Sequence, residues 1–148
     1  MMGTKKAWLC ATAVLTLVSG SCGRSGLYPV SGKVMYKGEP AAGASVHFIR
    51  QGGNPMNEHA IMGIVEADGS FTLVCGHLGS GAPPGEYDVL IEWKQVTHQA
   101  KGQPQKGADK LRGRYCNAAR PLLHAVVKAE ANDLPPFELT DEGPAGKK

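Results

Sequence analysis

Ala82-Pro83-Pro84-Gly85-Glu86-Tyr87-Asp88-Val89-Leu90-Ile91-Glu92-Trp93 is a stiff turn running straight into a strand. Pro83 and Pro84 fix φ and withhold two backbone donors, and Gly85 frees the next dihedral. Tyr87, Val89, Ile91 and Trp93 then fall on one face at period two, while Asp88, Glu92 and Lys94 take the other, with Leu90 its one apolar member. A strand with a wholly apolar face must lay it against a second layer, so short strands are expected on both sides of this one.

The flanking sequence supplies them. Tyr28 to Tyr36 alternates, with Val30, Gly32, Val34 and Tyr36 facing one way and Ser31, Lys33, Met35 and Lys37 the other. After the turn Lys37-Gly38-Glu39-Pro40, Ala44, Val46 and Phe48 make the inner face of a strand running to Arg50, with Ser45, His47 and Ile49 outside. Ile61 to Glu66 and Ser70 to Cys75 flank Ala67-Asp68-Gly69, a strong hairpin signal, with Phe71, Leu73 and Cys75 pointing inward. Leu123, Ala125 and Val127 mark a strand from 122 to 128. Pro135 and Pro136 confine the last strand, 134 to 139, to an edge, because neither can donate to a ladder. Seven short strands punctuated by glycine and proline predict an all-β, antiparallel β-sandwich.

Gln95 to Ala119 breaks the pattern, being long, polar and mildly basic. Residues 95–108 read as a mobile loop, after which Asp109 to Tyr115 is expected to dock through Leu111 and Tyr115. Lys110, Arg112, Arg114 and Tyr115 are the candidate residues for docking an anionic partner, an envelope protein or a polysaccharide, against the plainer reading of a solvated connector.

The chain has 16 basic and 13 acidic residues among 148. Without Lys5 and Lys6, which sit in a segment expected to be removed, 14 basic residues face the same 13 acids, a balance that gives no basis for nucleic-acid binding. One domain is expected over 28–140, with a flexible tail over 141–148. A monomer is expected.

Met1 to Ser21 reads as an export signal: a basic start, an apolar run from Ala7 to Val18 too short to span a bilayer, then Ser19-Gly20-Ser21 before Cys22. A cysteine in that place resembles the lipobox of bacterial lipoproteins, in which the thiol carries a diacylglycerol. That resemblance implies a lipid anchor in the membrane on Cys22, with 22–27 as a tether and the domain on the periplasmic or cell-surface side. Ser19 stands where Leu is usual, and ordinary secretory cleavage after Gly20 or Ser21 is the alternative, giving a soluble exported protein.

Val30-x-Gly32-x-Val34, Gly38-x-Pro40-x-x-Gly43-Ala44-x-Val46, Asp68-Gly69-Ser70-Phe71 and Pro84-Gly85-x-Tyr87-x-Val89 together resemble the carboxypeptidase regulatory-like domain, a transthyretin-like sandwich. Gly113-Arg114-Tyr115 and Asn132-Asp133-Leu134-Pro135-Pro136-Phe137 are similar to the short exported versions found in planctomycete bacteria. The resemblance implies a non-catalytic structural or binding module without cofactor or metal. A transthyretin-related hydrolase shares the sandwich but carries a carboxy-terminal Tyr-Arg-Gly-Ser, where this chain has Gly143-Pro144-Ala145-Gly146. A carbohydrate-binding module, the remaining alternative, needs exposed aromatic platforms.

Cys75 and Cys116 form an even pair once Cys10 is cleaved off and Cys22 acylated, which points to a disulfide, with two separate thiols as the alternative. His47, His59, His77, His98 and His124 are scattered without metal-ligand spacing.

Overall fold

A computed structural model describes residues 26–53, 59–98 and 104–142. Its strands in chain order are β1 (Val30–Tyr36), β2 (Glu39–Pro40), β3 (Ser45–Arg50), β4 (Ile61–Ile64), β5 (Ser70–Thr72), β6 (Val74–Cys75) and β7 (Gly79–Ser80), then β8 (Gly85–Glu92), β9 (Lys94–His98), β10 (Pro104–Asp109), β11 (Leu123–Val127), β12 (Asn132–Asp133) and β13 (Phe137–Leu139). Among the described residues there is no helix. The protein is an all-β sandwich.

The Pro-Pro-Gly strand is β8, and it lies inside a six-stranded antiparallel sheet of order β11-β8-β3-β4-β6-β7. Its inner face is as the alternation predicts: Tyr87, Val89 and Ile91 are fully buried, each worth roughly 1.5–3 kcal/mol of burial. Tyr87 also donates its hydroxyl to the Pro83 carbonyl at 2.8 Å, tying the strand back to its own turn. Trp93, the fourth member, lies at the sandwich end and is only half-buried.

The second layer is built on β1. Antiparallel β2 and β5 bond to one side of it, and parallel β12 and β13 to the other. Val30 and Val34 of β1, Phe71 of β5 and Phe137 and Leu139 of β13 close the core from that side, with Phe71 and Phe137 stacked at 6.2 Å.

Three expectations are corrected. Ser70 to Cys75 is not one hairpin strand against Ile61 to Glu66. The Asp68-Gly69 turn forms, with the Glu66 amide donating to Ser70 O at 2.7 Å, but the strand then changes sheets: β5 pairs with β1 and only β6 returns to β4. Bare backbone at Gly63 permits the crossing, because a Cβ there would meet the Thr72 carbonyl oxygen at 2.5 Å.

The connection 95–108 is not structureless. Its two halves, β9 and β10, pair as an antiparallel ribbon with an irregular register between Lys106 and Asp109. Such pairing is made by backbone bonds between polar strands and leaves no apolar period to read.

The last strand begins later than predicted. Pro135 and Pro136 fall in the gap between β12 and β13, which together form the edge that those prolines require.

Candidate binding surfaces

Asp109 organises the loop that follows the ribbon. Its Oδ1 accepts the amides of Trp93 (2.9 Å) and Leu111 (3.1 Å), and its Oδ2 accepts that of Gly113 (2.8 Å). Leu111 and Tyr115 are thereby driven into the core, 5% and 2% exposed. Tyr115 is also locked at its hydroxyl, which donates to the Thr140 carbonyl at 3.1 Å and accepts the Thr140 amide at 3.0 Å. Tyr115 is therefore a core residue and no part of a docking surface, which corrects the expectation for it.

Lys110, Arg112 and Arg114 are exposed at this end of the sandwich. Lys110 Nζ lies 3.9 Å above the Trp93 ring centre. Trp93 in turn donates from Nε1 to the Ala42 carbonyl at 2.9 Å and meets Tyr36 edge-on at 5.6 Å. Lys37 pairs with Asp141 at 2.5 Å and Lys94 with Glu92 at 2.8 Å. Hydrogen bonds from Lys37 and then Tyr36 hold the Asp141 carboxyl below its ordinary range, and Asp141 raises Lys37 in return.

Cys75 and Cys116 are separate thiols, against the disulfide expectation. Cys75 lines a hollow with Arg50 and Tyr87 near the start of β8, whereas Cys116 follows Tyr115, whose carbonyl takes the Ile91 amide near the end of β8. At about 3.3 Å per residue those two places lie on the order of 13 Å apart, beyond the roughly 4.4–6.8 Å that a disulfide spans. Burial pushes both thiols up, with Asp109 and Glu92 adding to the effect at Cys116. Cys22 lies outside the described residues.

Another feature is one the loop residues do not touch. Along the outer face of the six-stranded sheet, Leu90, His47, Met62 and Val74 stand opposite one another in register across β8, β3, β4 and β6. Because β5 leaves for the other sheet, the outer side of β4 is uncovered and a groove of about 420 Å³ opens, lined by Met62, Ile64, Thr72 and Val74. A second hollow of about 270 Å³ adjoins it across Met62 and Ile64, bordered by Ser45, His47, Glu92 and Lys94. Ile64 is 51% exposed, and Leu122 and Val126 of the β11 region are further exposed apolar residues. Burial lowers His47 below its ordinary pKa, opposed by Glu92. A signal for this face was present in the sequence: Ile61-Met62-Gly63-Ile64-Val65 is apolar on both sides of a strand, whereas a solvated outer face calls for alternation.

His47, His59 and His124 do not converge. His47 sits mid-sheet between Leu90 and Met62, and His124 on β11 bonds Asp88 at 2.8 Å as its cross-strand partner, with Gln51 donating to the same carboxylate at 2.7 Å. His59 instead meets His77 at the sheet's far end. Among the described residues no three His, Cys, Asp or Glu side chains gather as metal ligands. No helix among them is long and apolar enough to cross a membrane.

These features define a β-sandwich with an apolar outer face. No protein-family model and no curated protein matches the chain. One similar solved structure is a 9R-lipoxygenase from Cyanothece PCC8801, at 14% identity and a TM-score of 0.43; the match covers 77% of this chain and 16% of that one.

Proposed function

We propose that the chain is a non-catalytic, lipid-tethered β-sandwich module of the cell envelope that docks an envelope protein through the outer face of its six-stranded sheet. The observation that carries this reading is the exposed apolar band of Met62, Ile64 and Val74 around the groove, since contiguous exposed apolar surface marks interaction sites. Aliphatic and thioether side chains suit the apolar side chains of a protein segment. A polysaccharide is the weaker fit, because Trp93 is occupied by Lys110 and Tyr36 and so offers no open platform. The resemblance to carboxypeptidase regulatory-like domains supports a module without a reaction of its own. The pattern ending at Cys22 supports the tether, as several acyl chains hold a domain on a membrane where one binds only reversibly.

The test places a photo-crosslinking side chain at position 64 or, as a control, at exposed position 130 of the full-length protein in living cells. A discrete protein adduct is expected from position 64 alone, abolished by Met62→Asp on the same face. Equal adducts at 64 and 130 end the docking reading. In parallel Cys22→Ser should move the protein from the membrane to the soluble fraction, and unchanged membrane association ends the tether reading.

A further inference from the structure

At the far end of the six-stranded sheet the β4–β6 ladder gives way to the turn that leads into β7. Ile61 stands opposite Cys75, the Gly76 amide donates to the Ala60 carbonyl at 2.9 Å, and the 75–78 turn, closed by the Leu78 amide on the Cys75 carbonyl at 2.9 Å, brings His77 beside His59. The imidazole centres are 4.9 Å apart with the rings edge to face. Gly76 makes this approach easy: it turns with φ +47°, and the nearest atom to a Cβ built on it is His59 Cβ at 3.7 Å, so His59 lies over an uncrowded turn. Both rings are exposed, and among the described residues neither makes a hydrogen bond or an ion pair. Arg50 borders the same hollow as His59, but its guanidinium is turned to the Pro84 carbonyl at 3.1 Å.

We propose that His59 and His77 form a two-imidazole site for a late first-row divalent cation, Zn²⁺ or Cu²⁺, whose remaining coordination positions are left to water or an incoming ligand. The spacing fits the chemistry. A metal about 2.0–2.1 Å from a ring nitrogen lies roughly 3.2 Å from that ring's centre, so two imidazoles at tetrahedral to right angles have centres about 4.5–5.2 Å apart. Rotation about the Cβ–Cγ bond, a broad and soft torsion in histidine, is the movement that turns a nitrogen of each ring toward an ion. Neutral imidazole suits Zn²⁺ and Cu²⁺ better than the hard cations Mg²⁺ or Ca²⁺, which take oxygen. With two protein ligands the site holds its ion less tightly than a closed four-ligand site and keeps positions open for exchange. The inference uses neither the groove nor the tether and stands or falls apart from them.

The test is a Zn²⁺ titration of the full-length protein followed by NMR at each histidine ring, with calorimetry in parallel. At one equivalent the His59 and His77 resonances should move together while those of His47 and His124 stay in place. Removing one ring turns a chelate into a single contact, so His59→Ala and His77→Ala should each weaken binding at least about tenfold, and His124→Ala should leave it unchanged. Mg²⁺ should move neither resonance. Movement of only one ring of the pair, equal movement of His47 or His124, or unchanged affinity in either single variant would overturn the proposal. All three variants alter exposed side chains and should keep the fold.

Discussion

Single residues decide where the backbones in this sandwich can touch. At Gly81 the chain approaches Tyr28 so closely that a Cβ would lie 2.2 Å from the Tyr28 carbonyl oxygen, and φ is +105°, outside the range that other residues adopt readily. Gly81→Ala is therefore expected to cost about 3 kcal/mol or more, read as a fall in the urea midpoint, whereas Gly52→Ala, with φ +71° but open space around it, should cost about 1 kcal/mol. Equal losses at the two would show that the close approach carries no energy. His47 is a residue-scale probe of the groove. Burial lowers its pKa, so the folded state binds the proton less readily than the unfolded chain. Its contribution is intact above the unfolded value near 6.5 and is lost as pH falls through the lower folded value. His47→Gln removes that acid penalty, and its stability should decline less than the wild type's between pH 7 and pH 5. A variant with the same slope would place His47 in water.

Elements were legible where burial wrote a period into them and opaque where it did not. The inner residues of β1, β3, β8 and β11 follow from alternation, and the dock of Leu111 and Tyr115 follows from two apolar residues in a polar stretch. The β9–β10 ribbon was invisible because its strands are mostly polar in sequence and carry no apolar alternation. The sheet change within Ser70 to Cys75 escaped for the opposite reason: Phe71, Leu73 and Cys75 are inward whichever sheet they pair in, so the pattern is blind to the switch. The candidate surfaces were less readable, since the His59–His77 encounter depends on a register 18 residues apart, and the groove on where β5 departs. Asp109 shows how one side chain builds an element, because it receives the amide of Trp93 and two amides, Leu111 and Gly113, of the loop that follows the ribbon. Asp109→Ala strands those donors and should cost about 2–3 kcal/mol in chemical denaturation. Asp109→Asn keeps one carbonyl oxygen and should recover about half. If the alanine variant is as stable as wild type, the loop holds itself by Leu111 and Tyr115 alone.

At the scale of the whole molecule, the two ends of the sandwich differ. Tyr28, Lys128 and the His59–His77 pair lie at the end where β1 and β8 begin, and Trp93, Lys110 and Lys37 at the end where they finish. β8 alone, with eight residues, spans roughly 26 Å between those ends. Were the proposed tether joined just before Tyr28, the first end would face the membrane and the Trp93 end would face away. Amine-reactive labelling of intact membranes should thus modify Lys110 and Lys37 faster than Lys128, and the difference should vanish when Cys22→Ser frees the protein. Labelling that favours Lys128 on the membrane would reverse the orientation.

The central place of β1 in its sheet also bears on mechanics. It is gripped on one flank by β2 and β5 and on the other by β12 and β13. A pull on the chain ahead of Tyr28, directed along that strand, loads both flanks in shear at once instead of peeling bonds away singly. The proposed anchor, attached there, would load that strand along its length.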